Sequence, residues 1–436
     1  MAGTMDYNSC EQYILNIPKF AGKNTTRDTY EILKKLIDVK KLPPVIHVAG
    51  TNGKGSVCTY LKGILNEAGY SVGMFTSPHL VFLRERMEID GIPVSKEDFL
   101  SCFNRVKENI SDSGHPSFFE YLFLMALCYF YEKKPDYIIL ETGLGGRLDA
   151  TNCFDEKVLT VITEIGFDHM QYLGDTIGKI AYEKAGIARK NVPLVVCAKR
   201  DEALKVIRNY YTELGGDCSL NFKTVDTSFY KNVNVSPEMN ELTFDYVNGD
   251  IRIDGVKLKG TALYQCENAS LAITGAFALQ DLRITMNAVK NGIRKAFWPG
   301  RMEKVSEHLI IDGAHNEDGI AAFVNSVRAI RADSEALGRD KLLFGVMSDK
   351  AYETIIQMTA ESGLFSDVAL IHIDTDRSLE LSKNKEVWSR YPSIKVECFN
   401  STAEGLDYLK RIRENREMIF AAGSLYMIGE ILSLQK

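Results

Sequence analysis

The 436-residue sequence lacks the features of several protein classes. Its nine cysteines are scattered singly, without a C-x-x-C pair, so neither a disulfide framework nor a zinc ribbon is indicated. The formal net charge of −6 provides no basic surface for nucleic acid. The most apolar stretch, residues 118–131, contains Glu120 and is too short to span a bilayer. With no signal peptide visible at the start, we expect a cytoplasmic enzyme that binds neither nucleic acid nor membrane.

What the sequence does contain is a stretch typical of phosphate-binding loops, VIHVAGTNGKGS at residues 45–56. A short apolar run predicts a strand, and three glycines then allow backbone N–H groups to approach an anion at a helix N-terminus. Lys54 adds a positive charge, and Ser56 adds a hydroxyl that can bind magnesium. Val48 stands where the strict pattern has its first glycine, and Gly55 separates the lysine from the serine. We interpret the stretch as a variant P-loop; a glycine-rich turn without phosphate chemistry is the alternative.

Strand and helix patterns alternate along most of the chain. This alternation favours an α/β fold with a mostly parallel sheet that is covered on both faces. Between about residues 218 and 260 the apolar positions change to period two, and Asn248-Gly249 marks a hairpin turn, which predicts a small antiparallel insertion. The first strands are predicted at residues 45–49, 71–75, 136–140, 158–165 and 193–197.

A domain boundary is predicted at Trp298-Pro299-Gly300, which interrupts the pattern. Beyond it, strands near 303–312, 341–347, 367–373 and 417–421 alternate with helices. We therefore expect a P-loop ATP-binding domain at residues 1–297 and a smaller, Rossmann-like α/β domain at residues 298–436.

Polar residues follow several predicted strands, at the edge where open α/β sheets bind ligands. Glu141 is suited to hold magnesium, or alternatively to cap the following turn. The glycines of residues 143–146 are not a dinucleotide fingerprint, because Leu148 stands where a third glycine is required. His169 is either a ligand residue or structural. Lys184 lies on a predicted helix, where a lysine is most often solvated.

In the second predicted domain, the segment DGAHN at residues 312–316 likewise places polar residues and a glycine after a predicted strand. Arg301, just after the boundary, could reach a phosphate across a cleft or form an interdomain salt bridge. The residues to this point support an enzyme that uses ATP and magnesium between two α/β domains. A P-loop kinase, an ATPase switch and an ATP-dependent ligase all fit.

Seven motifs occur in a fixed order from about residue 25 to residue 431. They are HVAGTNGKGS (47–56), TSPHL (76–80) with Glu85-Arg86, ETGLGGRLDATN (141–152), ITEIGFDHMQYLGDTIGKIAYEKAGI (162–187), PGRME (299–303), DGAHN (312–316) and GSLYMIGEI (423–431). Each motif alone is modest evidence, whereas the ordered set is highly specific. Together they resemble the folylpolyglutamate synthase/dihydrofolate synthase family of Mur-type amide ligases.

The resemblance implies an ATP-dependent ligase that phosphorylates a carboxylate and lets an amino acid attack the acyl phosphate. L-Glutamate would be added to a folate, or also to dihydropteroate, and the C-terminal domain would be of the glutamate-ligase type. The implied cofactors are ATP and two Mg²⁺ ions. The protein would act as a monomer on small molecules alone.

The resemblance also assigns roles to individual residues. Ser56 and Glu141 would bind one Mg²⁺ and His169 the second, and Lys184 matches a lysine that can be carbamylated. The catalytic residues would be Lys54, Lys184 and His169. The residues assigned to ATP are Thr51, Asn52, Gly53, Lys54, Gly55, Ser56, Asn268, Arg301, Asp312 and His315. The residues assigned to the folate are Ser77, Pro78, His79, Arg86 and Asp149.

Two alternatives are weighed against this assignment. Ligases that extend peptidoglycan precursors carry a nucleotide-sugar domain before the P-loop, and the 49 residues before Gly50 are too few for one. A P-loop ATPase switch would hydrolyse ATP without needing a carboxylate or an amine. One departure from the family pattern is Arg84, which stands where the family usually has asparagine.

Overall fold

The structure, a computed structural model, describes residues 5–18, 25–110, 114–332 and 339–435. The chain forms two compact units, each described below by itself. The first unit comprises Met1–Phe229 and Glu267–Ala296, and the second comprises Tyr230–Cys266 and Phe297–Lys436. The predicted domains at 1–297 and 298–436 remain a prediction. The compact units differ from them in residues 230–266, which group with the second unit.

Among the described residues, the main sheet of the first unit has eight strands in the order β4-β3-β2-β5-β1-β6-β7-β8. Neighbours from β2 to β8 pair in parallel, whereas β3 pairs antiparallel with both β2 and β4. The predicted mostly parallel α/β fold is thereby confirmed. The strands are β1 (Val45–Ala49), β2 (Val72–Phe75), β3 (Met87–Ile89), β4 (Ile92–Pro93), β5 (Tyr137–Glu141), β6 (Leu159–Ile162), β7 (Leu194–Cys197) and β8 (Phe222–Val225).

Helices connect these strands and cover the sheet. The helices Lys96–Asn109 and Phe118–Lys133 pack on each other. The helix that follows β1 begins directly at the P-loop. The helices are α1 (Tyr7–Leu15), α2 (Thr26–Leu36), α3 (Lys54–Glu67), α4 (Lys96–Asn109), α5 (Phe118–Lys133), α6 (Met170–Leu173), α7 (Ile177–Ala185), α8 (Asp201–Glu213), α9 (Gln265–Ala278) and α10 (Met286–Lys295).

Helix α5 shows how the apolar composition specifies this core. Ser117 caps the helix by accepting a hydrogen bond from the backbone of Glu120, whose carboxylate accepts from Ser117 N in return. Residues 121–130 are all buried, as predicted for this apolar stretch. Fully burying each large apolar side chain contributes about 1.5–3 kcal/mol, so α5 anchors one side of the sheet. Within the described residues, no helix has the length and apolarity needed to cross a membrane.

Helices α3 and α10 approach each other closely at two glycines. A Cβ on Gly292 would lie 2.5 Å from the carbonyl oxygen of Gly63 and 2.5 Å from Ile64 N. These are backbone atoms, which cannot move aside as a flexible side chain would. The close contact fixes α3, the helix that begins at the P-loop.

We expect the Gly292→Ala variant to be destabilised by about 1–3 kcal/mol, because the added methyl group forces the two helices apart. Thermal unfolding monitored by circular dichroism measures this. Gly178→Ala on α7 is the matched control, because its Cβ would meet side-chain atoms alone, the end of Glu202 at 3.0 Å and Val206 at 3.7 Å. Equal melting temperatures for the Gly292→Ala variant and the wild type would contradict the tight packing.

In the second unit, as far as it is described, one sheet has three antiparallel strands in the order β11-β10-β9. The other has six strands in the order β12-β13-β17-β14-β15-β16, all parallel except β12 against β13. The strands are β9 (Tyr230–Ser236), β10 (Glu241–Asn248), β11 (Ile251–Lys259), β12 (Glu303–Ser306), β13 (Leu309–Ile311), β14 (Asp340–Phe344), β15 (Phe365–Ile371), β16 (Lys395–Phe399) and β17 (Ile419–Ala422). The helices are α11 (Glu317–Arg331), α12 (Tyr352–Glu361), α13 (Leu381–Trp388), α14 (Thr402–Ile412) and α15 (Leu425–Leu434).

Three strand predictions differ from the structure. Residues 222–225 fall within the stretch predicted as an antiparallel insertion, but they form β8 and pair in parallel with β7 of the main sheet. The single strand predicted near 303–312 is a hairpin, because β12 turns back at Glu307 and His308 to pair antiparallel with β13. Strand β16 was not predicted, because its short alternation of polar and apolar residues includes no buried position and forms no continuous apolar run. The predicted hairpin turn at Asn248-Gly249 is confirmed between β10 and β11.

Candidate active site

The loop between β1 and α3 fits tightly among its neighbours. Gly53 has a φ of +85°, in the left-handed region, and forms the N-cap of α3. A Cβ on Gly53 would lie 2.2 Å from Asn268 Oδ1, and a Cβ on Gly50 would lie 1.7 Å from Thr163 Oγ1. Only glycine fits at both positions. Asn268, which was assigned to ATP, therefore lies beside the P-loop in the first unit.

Two lysines donate hydrogen bonds to the same carbonyl of this loop. Lys54 Nζ lies 3.1 Å from Gly50 O and 3.2 Å from Thr51 O. Lys184 Nζ lies 2.7 Å from Gly50 O. The structure thus brings together two of the three predicted catalytic residues, although they are 130 positions apart in the sequence.

Lys184 is buried, with 3% of its surface exposed. Burial, assisted by the nearby charge of Lys54, lowers the pKa of Lys184 from 10.5 to about 7, while Asp168 and Asp149 oppose the change. The expectation from its helical position alone, a solvated side chain, is wrong. Near pH 7, the Lys184 side chain is therefore a neutral amine in a substantial fraction of the protein molecules.

Glu141 joins the P-loop strand to the segment of residues 76–80. It is the last residue of β5 and pairs in register with Val48 of β1. Its side chain is 3% exposed, and Oε2 accepts a hydrogen bond from Ser77 N at 3.0 Å. A buried carboxylate is thereby held at the carboxyl edge of the sheet, beside the P-loop.

The segment assigned to the folate is ordered by an arginine–histidine contact. Arg86 Nε donates to His79 Nδ1 at 2.9 Å, so a neutral His79 carries its proton on Nε2. The guanidinium of Arg86 lies 5.1 Å from the ring centroid of Phe118. Pro78 follows Ser77 through a cis peptide bond. These four assigned residues thus share one local structure.

Arg84, the departure from the family pattern, faces away from this contact toward the hairpin. Its Nη1 donates to Val94 O at 2.6 Å, and its guanidinium lies 5.2 Å from the ring centroid of Phe82. The guanidinium also lies 5.7 Å from the ring centroid of Tyr7 on α1. Arg84 thus packs against both neighbouring residues and the first helix.

Asp149 is buried in a hydrogen-bond network under the loop that follows β5. One carboxylate oxygen accepts from Leu144 N at 2.8 Å, and the other accepts from the Thr151 hydroxyl at 2.5 Å and from Thr151 N at 3.0 Å. The Thr151 hydroxyl is also 2.8 Å from His47 Nε2 on β1. Burial raises the pKa of Asp149, and these hydrogen bonds oppose that change. Asp149 shapes this loop, and its contact with a folate stays a prediction.

His169 opens the short helix α6 with a φ of +51°. Its Nε2 lies 3.9 Å from Asp168 Oδ1, and its backbone N donates to the same oxygen at 2.8 Å. Within the described residues, no group of three or more His, Cys, Asp or Glu side chains is placed to hold a metal. The metal roles of Ser56, Glu141 and His169 therefore remain predictions.

In the second unit, Asp312 organises the loop after β13. One carboxylate oxygen accepts from the Tyr264 hydroxyl at 2.5 Å and from Met302 N at 2.9 Å, and the other accepts from Ala314 N at 2.8 Å. Asp312 is buried, and burial raises its pKa against the opposing charge of Arg301. The carboxylate therefore holds the chain around Arg301 in place.

Arg301 and His315 each donate to a backbone carbonyl at or next to this loop. Arg301 Nη1 donates to Gly300 O at 2.9 Å, and His315 Nδ1 donates to Gly313 O at 2.7 Å. A Cβ on Gly313 would lie 2.2 Å from Arg301 Nη1. The three second-unit residues assigned to ATP are thus neighbours within their own unit.

Comparison with known proteins identifies the family. The Mur ligase middle domain matches residues 48–276. A dihydrofolate synthase/folylpolyglutamate synthase of Bacillus subtilis is 33% identical over 98% of this chain and 98% of its own length. The chain belongs to the dihydrofolate synthase/folylpolyglutamate synthase family. This confirms the resemblance and the predicted enzyme class, an ATP-dependent amide ligase.

Solved structures of the family have the same fold. Escherichia coli FolC in complex with DHPP and ADP superposes with a TM-score of 0.83 at 27% identity, covering 99% of this chain and 97% of its own. Folylpolyglutamate synthase from Thermotoga maritima superposes with a TM-score of 0.80 at 28% identity, covering 98% of this chain and 96% of its own. The family fold therefore extends over both units.

Sequence reasoning missed two features beside the P-loop. Thr163 Oγ1 donates to Asn52 O at 2.6 Å, a contact that the motif containing Thr163 does not indicate. Lys199 Nζ lies 2.9 Å from Glu164 Oε1 and 3.3 Å from Glu267 Oε2. The charges of the two glutamates raise the pKa of Lys199 in spite of burial. No local pattern connects these three residues, which come from three separate segments.

Proposed function

We propose that this protein adds L-glutamate to the carboxylate of a folate and couples the reaction to conversion of ATP into ADP and phosphate. The observation that supports this most is the meeting of Lys54 and Lys184 at Gly50 O, in a chain of this ligase family. A phosphate loop with a second, buried lysine fits phosphoryl transfer to a substrate carboxylate.

The chemistry follows from the poor reactivity of a carboxylate. Its negative charge repels a triphosphate and makes its carbon a poor electrophile for an amine. Lys54 would screen that charge together with the loop N–H groups. Transfer of the γ-phosphoryl group gives an acyl phosphate, whose phosphate is a good leaving group. The amine of glutamate then attacks the acyl carbon: the C–N bond forms, the C–O bond to phosphate breaks and the amine loses a proton.

The residues beside the P-loop fit Mg²⁺. Ser56 offers a hydroxyl at the start of α3, and Glu141 offers a buried carboxylate, and Mg²⁺ prefers oxygen ligands. Such sites commonly use one or two protein ligands with substrate phosphates and water, so a cluster of three acidic or histidine side chains is not required. Ser56 and Glu141 would hold one ion and His169 would contribute to a second. Bound Mg²⁺ supplies charge neutralisation for the phosphates.

Carbamylation of Lys184 would convert its cation into an anionic group. The neutral amine adds to carbon dioxide, a C–N bond forms and one proton is released. Since the pKa of Lys184 is about 7, the neutral form required for this step is available at neutral pH. The carbamate would provide a further oxygen ligand close to the P-loop.

The remaining assigned residues complete the proposal. Ser77, Pro78, His79, Arg86 and Asp149 would contact the folate, and Asn268, Arg301, Asp312 and His315 would contact ATP. A cytoplasmic location and a monomeric state are parts of the same proposal.

Release of ADP should depend on both substrates. We expect purified protein with Mg·ATP to release ADP quickly only when tetrahydrofolate and L-glutamate are both present, because phosphoryl transfer needs the carboxylate and turnover needs the amine. A coupled assay of ADP with single-substrate omissions measures this, and mass spectrometry of the product detects the added glutamate. Equal ADP release without folate and glutamate would instead indicate an ATPase switch.

Dihydropteroate is a second candidate acceptor. The Bacillus subtilis relative is named as a dihydrofolate synthase as well as a folylpolyglutamate synthase. Running the same assay with dihydropteroate in place of tetrahydrofolate distinguishes a protein with both activities from one that only extends folates.

A further inference from the structure

The P-loop is fastened to the segment after β6 by the hydroxyls of two threonines. Thr163 Oγ1 donates to Asn52 O at 2.6 Å. Thr51 Oγ1 donates to Gly166 O at 3.1 Å and accepts from Gly166 N at 3.0 Å. The three bonds join two segments more than 100 positions apart in the sequence.

Two backbone hydrogen bonds join the same two segments. Thr51 N donates to Glu164 O, and Thr163 N donates to Ala49 O, both at 2.8 Å. The P-loop is therefore held along its first half by the chain from Thr163 to Gly166. That chain leads directly to Asp168 and His169.

The contact of Thr163 has a consequence for the orientation of a backbone donor. In a trans peptide the C=O of one residue and the N–H of the next point in opposite directions. Because Thr163 holds the carbonyl of Asn52, the N–H of Gly53 is turned away from Thr163. A fixed N–H at this point of the loop is suited to donate a hydrogen bond to a phosphate oxygen.

We propose that Thr163 and Thr51 are positioning residues for the nucleotide phosphates. Thr163 fixes the Asn52–Gly53 peptide, and Thr51 fixes the loop through Gly166 instead of donating its hydroxyl to ATP. The two threonines also keep the P-loop in register with the segment that bears His169. This inference deepens the proposed function and rests on it for the identity of the nucleotide.

The test compares three variants at two buried threonines, two that lack the hydroxyl and one that keeps it. Thr163→Val removes Oγ1 at nearly constant volume, and Thr163→Ser restores it. Thr160→Val is the matched control, because Thr160 lies on β6, shortly before Thr163, is equally buried and donates its hydroxyl to Pro193 O at 3.1 Å. Each valine variant thus loses one hydroxyl–carbonyl bond made by a buried threonine, but only one of the two bonds holds the P-loop.

Binding of Mg·ADP to the purified full-length protein, measured by isothermal titration calorimetry, is the main readout. We expect Thr163→Val to weaken binding about tenfold, and Thr163→Ser and Thr160→Val to stay within about twofold of wild type. In the ligase assay, the KM for ATP should rise in Thr163→Val while the KM for glutamate is unchanged. Thr163→Val with the same affinity as Thr160→Val would overturn the proposal.

Thr51 provides a second route if Thr163→Val fails to fold, because its side chain is only partly buried. Thr51→Val should weaken Mg·ADP binding, and Thr51→Ser should restore it. Normal affinity in Thr51→Val would contradict the proposal. A wild-type protein that binds Mg·ADP but forms no glutamyl product would refute the proposed function while leaving the nucleotide-binding comparison intact.

Discussion

The Lys54→Ala variant is expected to lose kcat by about 10²–10³-fold, the loss typical for removing one group that stabilises transition-state charge. Lys54 begins α3, and its ammonium lies at the carbonyls of Gly50 and Thr51, inside the loop that would hold the triphosphate. Phosphoryl transfer brings the negatively charged carboxylate to the γ-phosphate, whose oxygens carry the charge of the transition state. Without the ammonium, the P-loop itself offers backbone donors and no cation to screen that charge. Steady-state ADP release under saturating substrates measures the effect.

Lys62→Ala is the control for this experiment. Lys62 lies on the same helix, and its ammonium pairs with Glu88. Its loss removes a charge and an ion pair but no contact of the P-loop, so kcat should remain close to wild type. A Lys54→Ala variant that is folded by circular dichroism and retains near-wild-type turnover would refute the assignment of residues 50–56 to the phosphates.

The sequence was sufficient to predict the strands whose residues are buried on both faces. Strand β1 is buried at every position, as are β2, β6 and β7, so each left a short apolar run. Strand β16 lies at the end of its sheet, and its side chains are partly or fully exposed. An edge strand of this kind leaves a short polar–apolar alternation in place of an apolar run, and its pairing with β15 shows that it is a strand.

The assignment of residues 230–266 to a compact unit could not be made from local pattern. Period-two alternation correctly predicted a hairpin around Asn248-Gly249. Which neighbouring elements the hairpin packs with depends on contacts between distant parts of the chain, and helix α11 contacts β9 in the second unit. Alternation within a strand carries no information on such partners.

Local sequence pattern is also insufficient to predict the contacts within the candidate site. The motifs identified Lys54, Glu141 and Lys184 as residues of one site, because the order of motifs is specific to a family. They gave no indication that Lys184 is buried, or that Thr163 holds the carbonyl of Asn52. Burial and non-local hydrogen bonds arise only when β1, β6 and α7 are brought together.

Lys184→Ala should lower kcat by about 10²-fold and should regain part of it when acetate or propionate is added. The reason is that the proposed active form of Lys184 is a carbamate, whose carboxylate-like end a short-chain carboxylic acid can replace. Alanine leaves a cavity next to Gly50 in which such an anion can bind. ADP release at increasing acetate concentrations measures the rescue, with chloride at equal ionic strength as the salt control.

The same variant should change how stability depends on pH. The pKa of Lys184 is about 7 in the folded protein and is ordinary, near 10.5, in the unfolded chain. Between these values the unfolded chain binds one more proton, so this residue makes the wild type more stable as pH rises from about 7 to about 10. Removing Lys184 removes that contribution. The melting temperature at pH 9 minus the melting temperature at pH 7, measured without bicarbonate, should therefore be more positive for the wild type than for Lys184→Ala.

Lys179→Ala separates these effects from the loss of any lysine on α7. Lys179 lies on the same helix, its side chain is 63% exposed, and it pairs with Asp175 at the surface. An exposed pair of this kind contributes little to stability, so kcat, acetate response and pH dependence should match wild type. Full activity of Lys184→Ala without added carboxylate would exclude a catalytic carbamate. If Lys184→Ala loses most of its activity and no short carboxylate restores it, the carbamate has no part in the rate. Lys184 would then act as an amine that holds the carbonyl of Gly50.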